Sequence, residues 1–449
     1  MPDQSLIFPP EFLWGISTSA HQVEGNNHNQ WTEWEAAGRT TSGDRSGVAC
    51  DWWNNAEHDF DLAQEMGLNA LRLSVEWSRI EPESGKFSRP AIERYREMLT
   101  GLHKRRIKPL LTLHHFTNPI WFEESGAFLN PESASHFERF TRKVIEELSD
   151  LCEIWLTFNE PNVYSTMGYI VGEFPPGRRS DLGATITVLA NIARAHARAY
   201  RAIHELQPNA QVGWTDNYIV FQPADTNSNF DRMVAGWQHH LFNSSFLRVI
   251  ERGALVFPFS LLSGDLQEVK GTCDFVGINV YNRAYSRFDL NFPASLFGHI
   301  FVPEDVPQGD PGMNHPYGEA YPHAIYLAAQ NAVRLKKPIY ILENGVPDAQ
   351  DRIRPWLITN AVRELHALIQ QKVDVRGYFH WSLVDNFEWS EGWRLRFGLY
   401  ALDRETQQRT PRPSAQIYSA IAKANGLTEM ADSNLETVTE TKQTEWYEQ

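Results

Sequence analysis

Residues 154–160 read IWLTFNE and residues 338–344 read PIYILEN. Each is a short run of aromatic, leucine and β-branched side chains ending in an Asn and a Glu. That is the pattern of a strand buried on both faces that delivers polar groups at its carboxyl end. Six more runs have the same character: FLWGIST from Phe12, ALRLSV from Ala70, PLLTLHH from Pro109, QVGWTDN from Gln211, DFVGINVY from Asp274 and VRGYFHWSL from Val375. Between them lie stretches of helical period. Ile92, Tyr95, Leu99 and Leu102 follow Pro90, and Phe137, Phe140, Val144 and Leu148 repeat the spacing behind Pro131. The segment from Ala184 to Leu206, rich in Ala and Arg, is stopped by Pro208, and Val362, Leu365 and Ile369 mark a further apolar stripe. Strands that alternate with covering helices predict βα units around a parallel sheet, and closing that sheet removes the two edges an open one would leave unprotected. The expected fold is α/β, a single (β/α)8 TIM barrel over residues 1–427. Residues 428–449 carry six acidic side chains against one Lys and little apolar content, which predicts a mobile tail. The stretch from Leu290 to Glu319 is long for a connection and is expected to rim a site.

Composition narrows the function. A formal charge of -15 with no basic patch argues against nucleic acid. Cys50, Cys152 and Cys273 form no CxxC pair, which excludes a disulfide framework and a cysteine-based zinc site and fits a reducing, cytoplasmic setting. The opening MPDQSLIFPPEF lacks the basic and apolar regions of a secretory leader, and no run of about 18 uncharged apolar residues suggests a membrane span. No glycine motif for phosphate occurs, so no cofactor is expected. Aromatic residues make up 12% of the chain, 15 Trp among them, and flat rings are the usual partners of sugar faces.

In a barrel of this kind the active site lies at the carboxyl ends of the strands. The polar residues there are His114 and His115, Asn159 and Glu160, Asn279 and Tyr281, Glu343 and Asn344, and His380 with Trp381. Glu160 and Glu343 end buried strands and would face one another across the mouth, two carboxyl groups held where water is scarce. Either one alone could be a solvated strand end or half of a structural ion pair. Two at a common rim point to chemistry.

The same residues resemble glycoside hydrolase family 1, the β-glucosidase and β-galactosidase type of retaining enzyme. TFNEP from Thr157 and ENG from Glu343 match its signature pair, and FLWGISTSAHQVEG from Phe12, LRLSVEWSRI from Leu71, GINVYN from Gly277, YFHWSLVDNFEW from Tyr378 and RFGLY from Arg396 extend the match from about Phe8 to Ala422. The resemblance implies Glu160 as acid/base and Glu343 as nucleophile, about 5 to 5.5 Å apart, with Arg72 and Tyr281 hydrogen-bonded to the nucleophile. It implies a sugar-binding set of Gln22, His115, Phe116, Asn159, Trp381, Glu388 and Trp389, with Asn159 on the 2-hydroxyl and Trp381 under the ring. The substrates it implies are β-linked glycosides and oligosaccharides, with β-glucosides foremost, β-galactosides and β-fucosides beside them, and transglycosylation where an alcohol replaces water. No metal is part of it.

The sequence departs from the family in places. Phe116 stands where Trp is usual, Thr117 where Asp is usual and Leu342 where Thr precedes the nucleophile. Glu388, Leu395 and Phe397 occupy positions that carry Ser, Lys and Tyr in the phosphate-accepting branch, which argues against a 6-phosphate substrate. Glu160 is intact, unlike the Gln of thioglucosidases. Two other readings stay open here: a non-catalytic sugar-binding barrel, and a metal-dependent barrel hydrolase drawing on His21, His114, His115 and His380. The aglycone and the oligomeric state are not set by the sequence.

Overall fold

All eight expected runs are strands of one closed parallel ring, seen in a computed structural model that describes residues 5–312 and 317–428. In chain order they are β1 (Leu13–Ser17), β2 (Ala70–Ser74), β3 (Lys108–His114), β4 (Ile154–Asn159), β5 (Gln211–Pro223), β6 (Val276–Phe288), β7 (Ile339–Asn344) and β8 (Val375–His380). Each pairs with its neighbours in sequence, and β8 closes the ring on β1 through Gly377↔Leu13 and His380↔Ile16. The acidic stretch expected to be a tail lies, apart from Thr428, outside the described residues. Among the described residues no helix is long and apolar enough to cross a membrane.

The covering helices are α1 (Trp52–Glu65), α2 (Arg89–Lys104), α3 (Ser133–Leu148), α4 (Leu182–Leu206), α5 (Asn229–Gln238), α6 (Ser244–Arg252), α7 (Ala324–Ala332), α8 (Arg354–Gln370) and α9 (Pro413–Ala424). The α2 stripe of Ile92, Tyr95, Leu99 and Leu102 is buried, as is the α3 stripe of Phe137, Phe140, Val144 and Leu148. The start of α2 is set by Ser88, whose side chain accepts from the Ala91 N–H, with Pro90 in the first turn. Two strands exceed their expected length. β5 and β6 run 13 residues each and stay paired from Thr215↔Gly277 to Pro223↔Ser286, so a two-stranded ribbon stands above the barrel rim. Part of the long connection after β6 returns as Gly298–Phe301, antiparallel to it.

Apolar packing falls into an outer shell between ring and helices and a plug inside the ring. Ala70, Leu110, Leu156, Tyr340, Leu342 and Phe379 belong to the plug. Three inward glycines make room for its large members. A Cβ on Gly15 would lie 2.4 Å from the Phe379 ring, one on Gly213 2.7 Å from Phe275, and one on Gly277 2.6 Å from Leu342. The plug is therefore a fitted layer on which the polar site rests. Gly15→Val should lower the free energy of unfolding by about 1–3 kcal/mol through overpacking against Phe379. A shift of the denaturant midpoint at constant m-value would measure it; an unchanged midpoint would mean that the plug is slack.

Candidate active site

Regular alternation along a strand cannot aim two consecutive side chains into the barrel, yet Asn159 and Glu160 both point there, as do Leu342 and Glu343. The pairing register shifts between Leu156 and Asn159 on β4 and just beyond Ile341 on β7, an irregularity of the kind that re-aims side chains at barrel rims. Glu160 then takes a left-handed conformation at φ 46°, unusual for a side chain of its size, immediately before the Pro161–Thr166 helix. Both carboxyl groups reach the centre by this local departure from strand geometry.

Arg72 on β2, fully buried, organises what they meet. Its Nη1 pairs with Glu343 Oε1, its Nη2 donates to Asn159 Oδ1 at 2.6 Å, and its Nε donates to Thr112 Oγ1 at 3.1 Å. The Tyr281 hydroxyl donates to Glu343 Oε2 at 2.6 Å. Asn279 Nδ2 donates to Glu160 Oε1 at 2.8 Å and to Asn159 Oδ1 at 3.0 Å, and the same amide lies against Glu343. One side-chain amide thus touches both carboxyl groups. Asn217 Nδ2 also donates to Glu160 Oε1, at 3.0 Å.

The two carboxyl groups differ electrostatically. Burial raises both. At Glu343 the Arg72 charge and the Tyr281 hydrogen bond oppose it and favour the anion. Glu160 touches only neutral amides and is raised further by the Glu343 charge, to about 8. A proton shared between them therefore sits on Glu160. Glu388 is also pushed up to about 8, by burial first and then by Glu343, against the hydrogen bond from Trp381.

The remaining expected residues form a wall. Gln22 Nε2 donates to the Phe387 carbonyl at 2.7 Å and reaches Glu388 Oε2 at 3.3 Å. His115 stacks between Trp381 and Trp389 at ring separations of 6.2 and 5.9 Å. Burial, helped by Arg72, holds it neutral, and its buried Nδ1 has no partner. Trp389 is backed by His21, stacked at 5.6 Å, which is fixed by Glu35 at 2.8 Å. Phe116 lies one layer behind, edge-on to Trp389 at 5.2 Å. The histidines of the metal-dependent reading diverge: His21 turns to Glu35, His114 to Asn118 at 3.0 Å, and His380 packs near Tyr418. Among the described residues no three His, Cys, Asp or Glu converge as metal ligands.

The sequence reading gave no site role to four residues. Thr215 and Asn217 sit on β5, where inward alternation from Gly213 could have found them. Asn279 shares a motif with Tyr281 and was noted only as a strand end. Tyr317, from the long connection, packs on Tyr281 and Phe397 at 5.9 and 5.1 Å and feels the charges of Glu388, Glu160 and Glu343. No local pattern announces it.

Comparison with known proteins agrees with this geometry. The sequence model of glycosyl hydrolase family 1 matches residues 4–427. Beta-glucosidase A of Thermotoga maritima is 32% identical over 94% of this chain and 98% of its own. Among solved structures, a β-glycosidase from Pyrococcus horikoshii superposes with a TM-score of 0.87 at 37% identity, covering 98% of this chain and 99% of that one. A Thermotoga maritima family 1 glycoside hydrolase complexed with a cyclophellitol analogue transition state mimic gives 0.88 at 30% identity, covering 95% and 100%.

Tyr281→Phe removes a hydrogen bond that favours the Glu343 anion, so the Glu343 pKa should rise. A bond to a charged group is worth about 1.5–3 kcal/mol, or roughly one to two pH units. Titration of carbon-13-labelled glutamate carboxyls by NMR would read the shift directly; a midpoint that stays in place would remove Tyr281 from the charge balance.

Proposed function

The chain belongs to glycosyl hydrolase family 1 and is a retaining β-glycosidase of the β-glucosidase type, and on that premise we propose Glu160 as its general acid/base and Glu343 as its nucleophile. The observation that carries this assignment is the split environment of the pair: Arg72 and Tyr281 on Glu343, neutral amides alone in contact with Glu160. The ionised Glu343 attacks the anomeric carbon while Glu160 gives its proton to the departing oxygen, leaving a covalent glycosyl-enzyme ester. Ester formation removes the negative charge that had raised Glu160. Its pKa then falls, and the same group can take a proton from the water that cleaves the ester. Double displacement returns the β-anomer.

The sugar contacts follow from which atoms remain free. Asn159 Oδ1 is filled by donors from Arg72, Thr215 and Asn279, at 2.6, 2.9 and 3.0 Å, so its Nδ2 is the end offered to the 2-hydroxyl. His115 lines the same wall beside Trp381 and Trp389, Trp381 floors the ring, and Gln22, Glu388 and Trp389 close the far end. Phe116 acts through Trp389. Glu388, between the 4- and 6-hydroxyls, accepts gluco and galacto epimers alike, and the Glu343 charge in the same enclosed cavity disfavours a 6-phosphate. β-Glucosides are the primary substrates, β-galactosides and β-fucosides are tolerated, and an alcohol in place of water gives transglycosylation. Residues 1–427 serve as one catalytic unit. Three free, buried cysteines support a reducing, cytoplasmic setting.

Glu160→Gln keeps the shape but not the proton. Alkyl β-glucosides should lose kcat/KM by a factor of roughly 10²–10⁴, while activated aryl glucosides still form the intermediate and azide restores their turnover as the β-glycosyl azide. Glu343→Ala with azide should give the α-azide. The same stereochemistry from both variants would overturn the assignment.

For the wild type, a proton that leaves Glu160 at about 8 sets the alkaline limb of kcat/KM. Activity on alkyl glucosides should decline through that pH, and in Glu160→Gln the limb should vanish for aryl substrates that need no acid. A limb that stays unchanged in the variant would point to Glu388.

A further inference from the structure

Of the 15 large apolar side chains exposed among the described residues, 11 fall between Phe230 and Ile300. Eight of these, on α5 and in residues 290–300, lie on the flank of the ribbon formed by β5 and β6, above the barrel rim. Helix α5 is mounted there on Val234 and Ala235, flanked by the buried polar side chains of Asp231 and Gln238. Asp231 Oδ1 accepts from the Phe288 N–H at 2.9 Å, and Gln238 Nε2 donates to the Gly298 carbonyl at 3.0 Å while its Oε1 accepts from Ser286 Oγ at 2.5 Å. These anchors turn the apolar stripe of Phe230, Met233 and Trp237, spaced i, i+3, i+7, towards solvent, with exposures of 60, 46 and 38%.

The turn after β6 continues the surface. Phe288 packs on Phe230 at 5.0 Å and on Phe297 at 6.4 Å, tying helix to turn, and Leu290, 72% exposed, stands beyond them. Eight side chains of α5 and residues 290–300, each about half exposed, present on the order of 800 Å² of apolar surface. The largest patch on a monomer is usually about 300–600 Å², whereas one side of a standard protein interface is about 800 Å². Charge points the same way. Residues 229–241 and 288–301 hold only Asp231, Arg232 and Asp289 as charged groups, in a chain of formal charge -15. With Arg287, which packs over Phe301 at 5.0 Å, these charges sum to zero, so two copies can meet here without a net like charge between them, whereas two arginines are a thin rim for an anionic lipid surface.

We propose that this flank is the interface of a two-fold dimer of the chain, with α5 and the 290–300 turn of one copy covered by the same elements of the other. The inference is independent of the catalytic assignment.

Sedimentation velocity across the micromolar range tests it, with the full chain beside the double variant Met233→Lys, Leu290→Lys. The wild type should sediment as a dimer. The variant should sediment as a monomer, with kcat/KM on an aryl β-glucoside and melting temperature unchanged, because neither residue touches the site. Should the variant lose activity through misfolding, the wild type decides alone: amide exchange in α5 should be slower at high than at low concentration. A wild type that is monomeric throughout, a dimer that survives both lysines, or a monomer that floats with phosphatidylglycerol vesicles would each overturn the proposal.

Discussion

A single guanidinium beneath two buried carboxyl groups and a half-buried third governs this molecule. Arg72 is fully enclosed, pairs with Glu343 and orients Asn159, while Glu160 and Glu388 share the cavity without a cation of their own. One positive charge can hold one carboxylate ionised in such a place, so the others keep their protons near neutrality. Which of the two carboxyl groups carries the proton is therefore a matter of charge count before it is one of distance. The Asn279 amide, the Tyr281 hydroxyl and the Thr215 hydroxyl complete the hydrogen bonding that makes enclosure of Arg72 and its partners tolerable.

The barrel's part is to put that cluster on a rigid base. Gly15, Gly213 and Gly277 admit the large side chains of the plug, and Arg72 stands two residues above Ala70 on the same inward face of β2. Above the plug the strands lose their regular pairing where the carboxylates emerge. Regularity below and irregularity above are both needed: the first fixes position, and the second aims Glu160 and Glu343 inward.

Much of this was legible in the sequence, because strand identity depends on local composition. Each of the eight apolar runs became a strand, and the stripes of α2 and α3 are buried as their spacing predicts. The expected site residues gather at one rim, Phe116 one layer back. What stayed hidden depends on long-range geometry. The register shift at Asn159 has no signature of its own, and simple alternation would have turned Glu160 or Asn159 away. Asn217 lay at the end of an expected strand and needed only the alternation from Gly213 to be carried through, whereas Tyr317 arrives from a connection whose path no periodicity encodes. The outward stripe of α5 looks like core in the sequence, since only the anchors made by Asp231 and Gln238 reveal which side faces in.

The apolar plug has a consequence for traffic. Phe379 and Leu342 are fully enclosed and fill the ring below the reacting carboxyls, so the cavity is a blind alley with one doorway. With Glu343 as the proposed nucleophile, the leaving half of a substrate would lie nearer that doorway than the sugar, and it would have to step out before water could come in. Departure is then strictly last in, first out, and the freed monosaccharide, seated deepest, is the final guest to go. Any sugar waiting outside competes with water for the vacated threshold, so a crowded doorway slows the emptying of the alley.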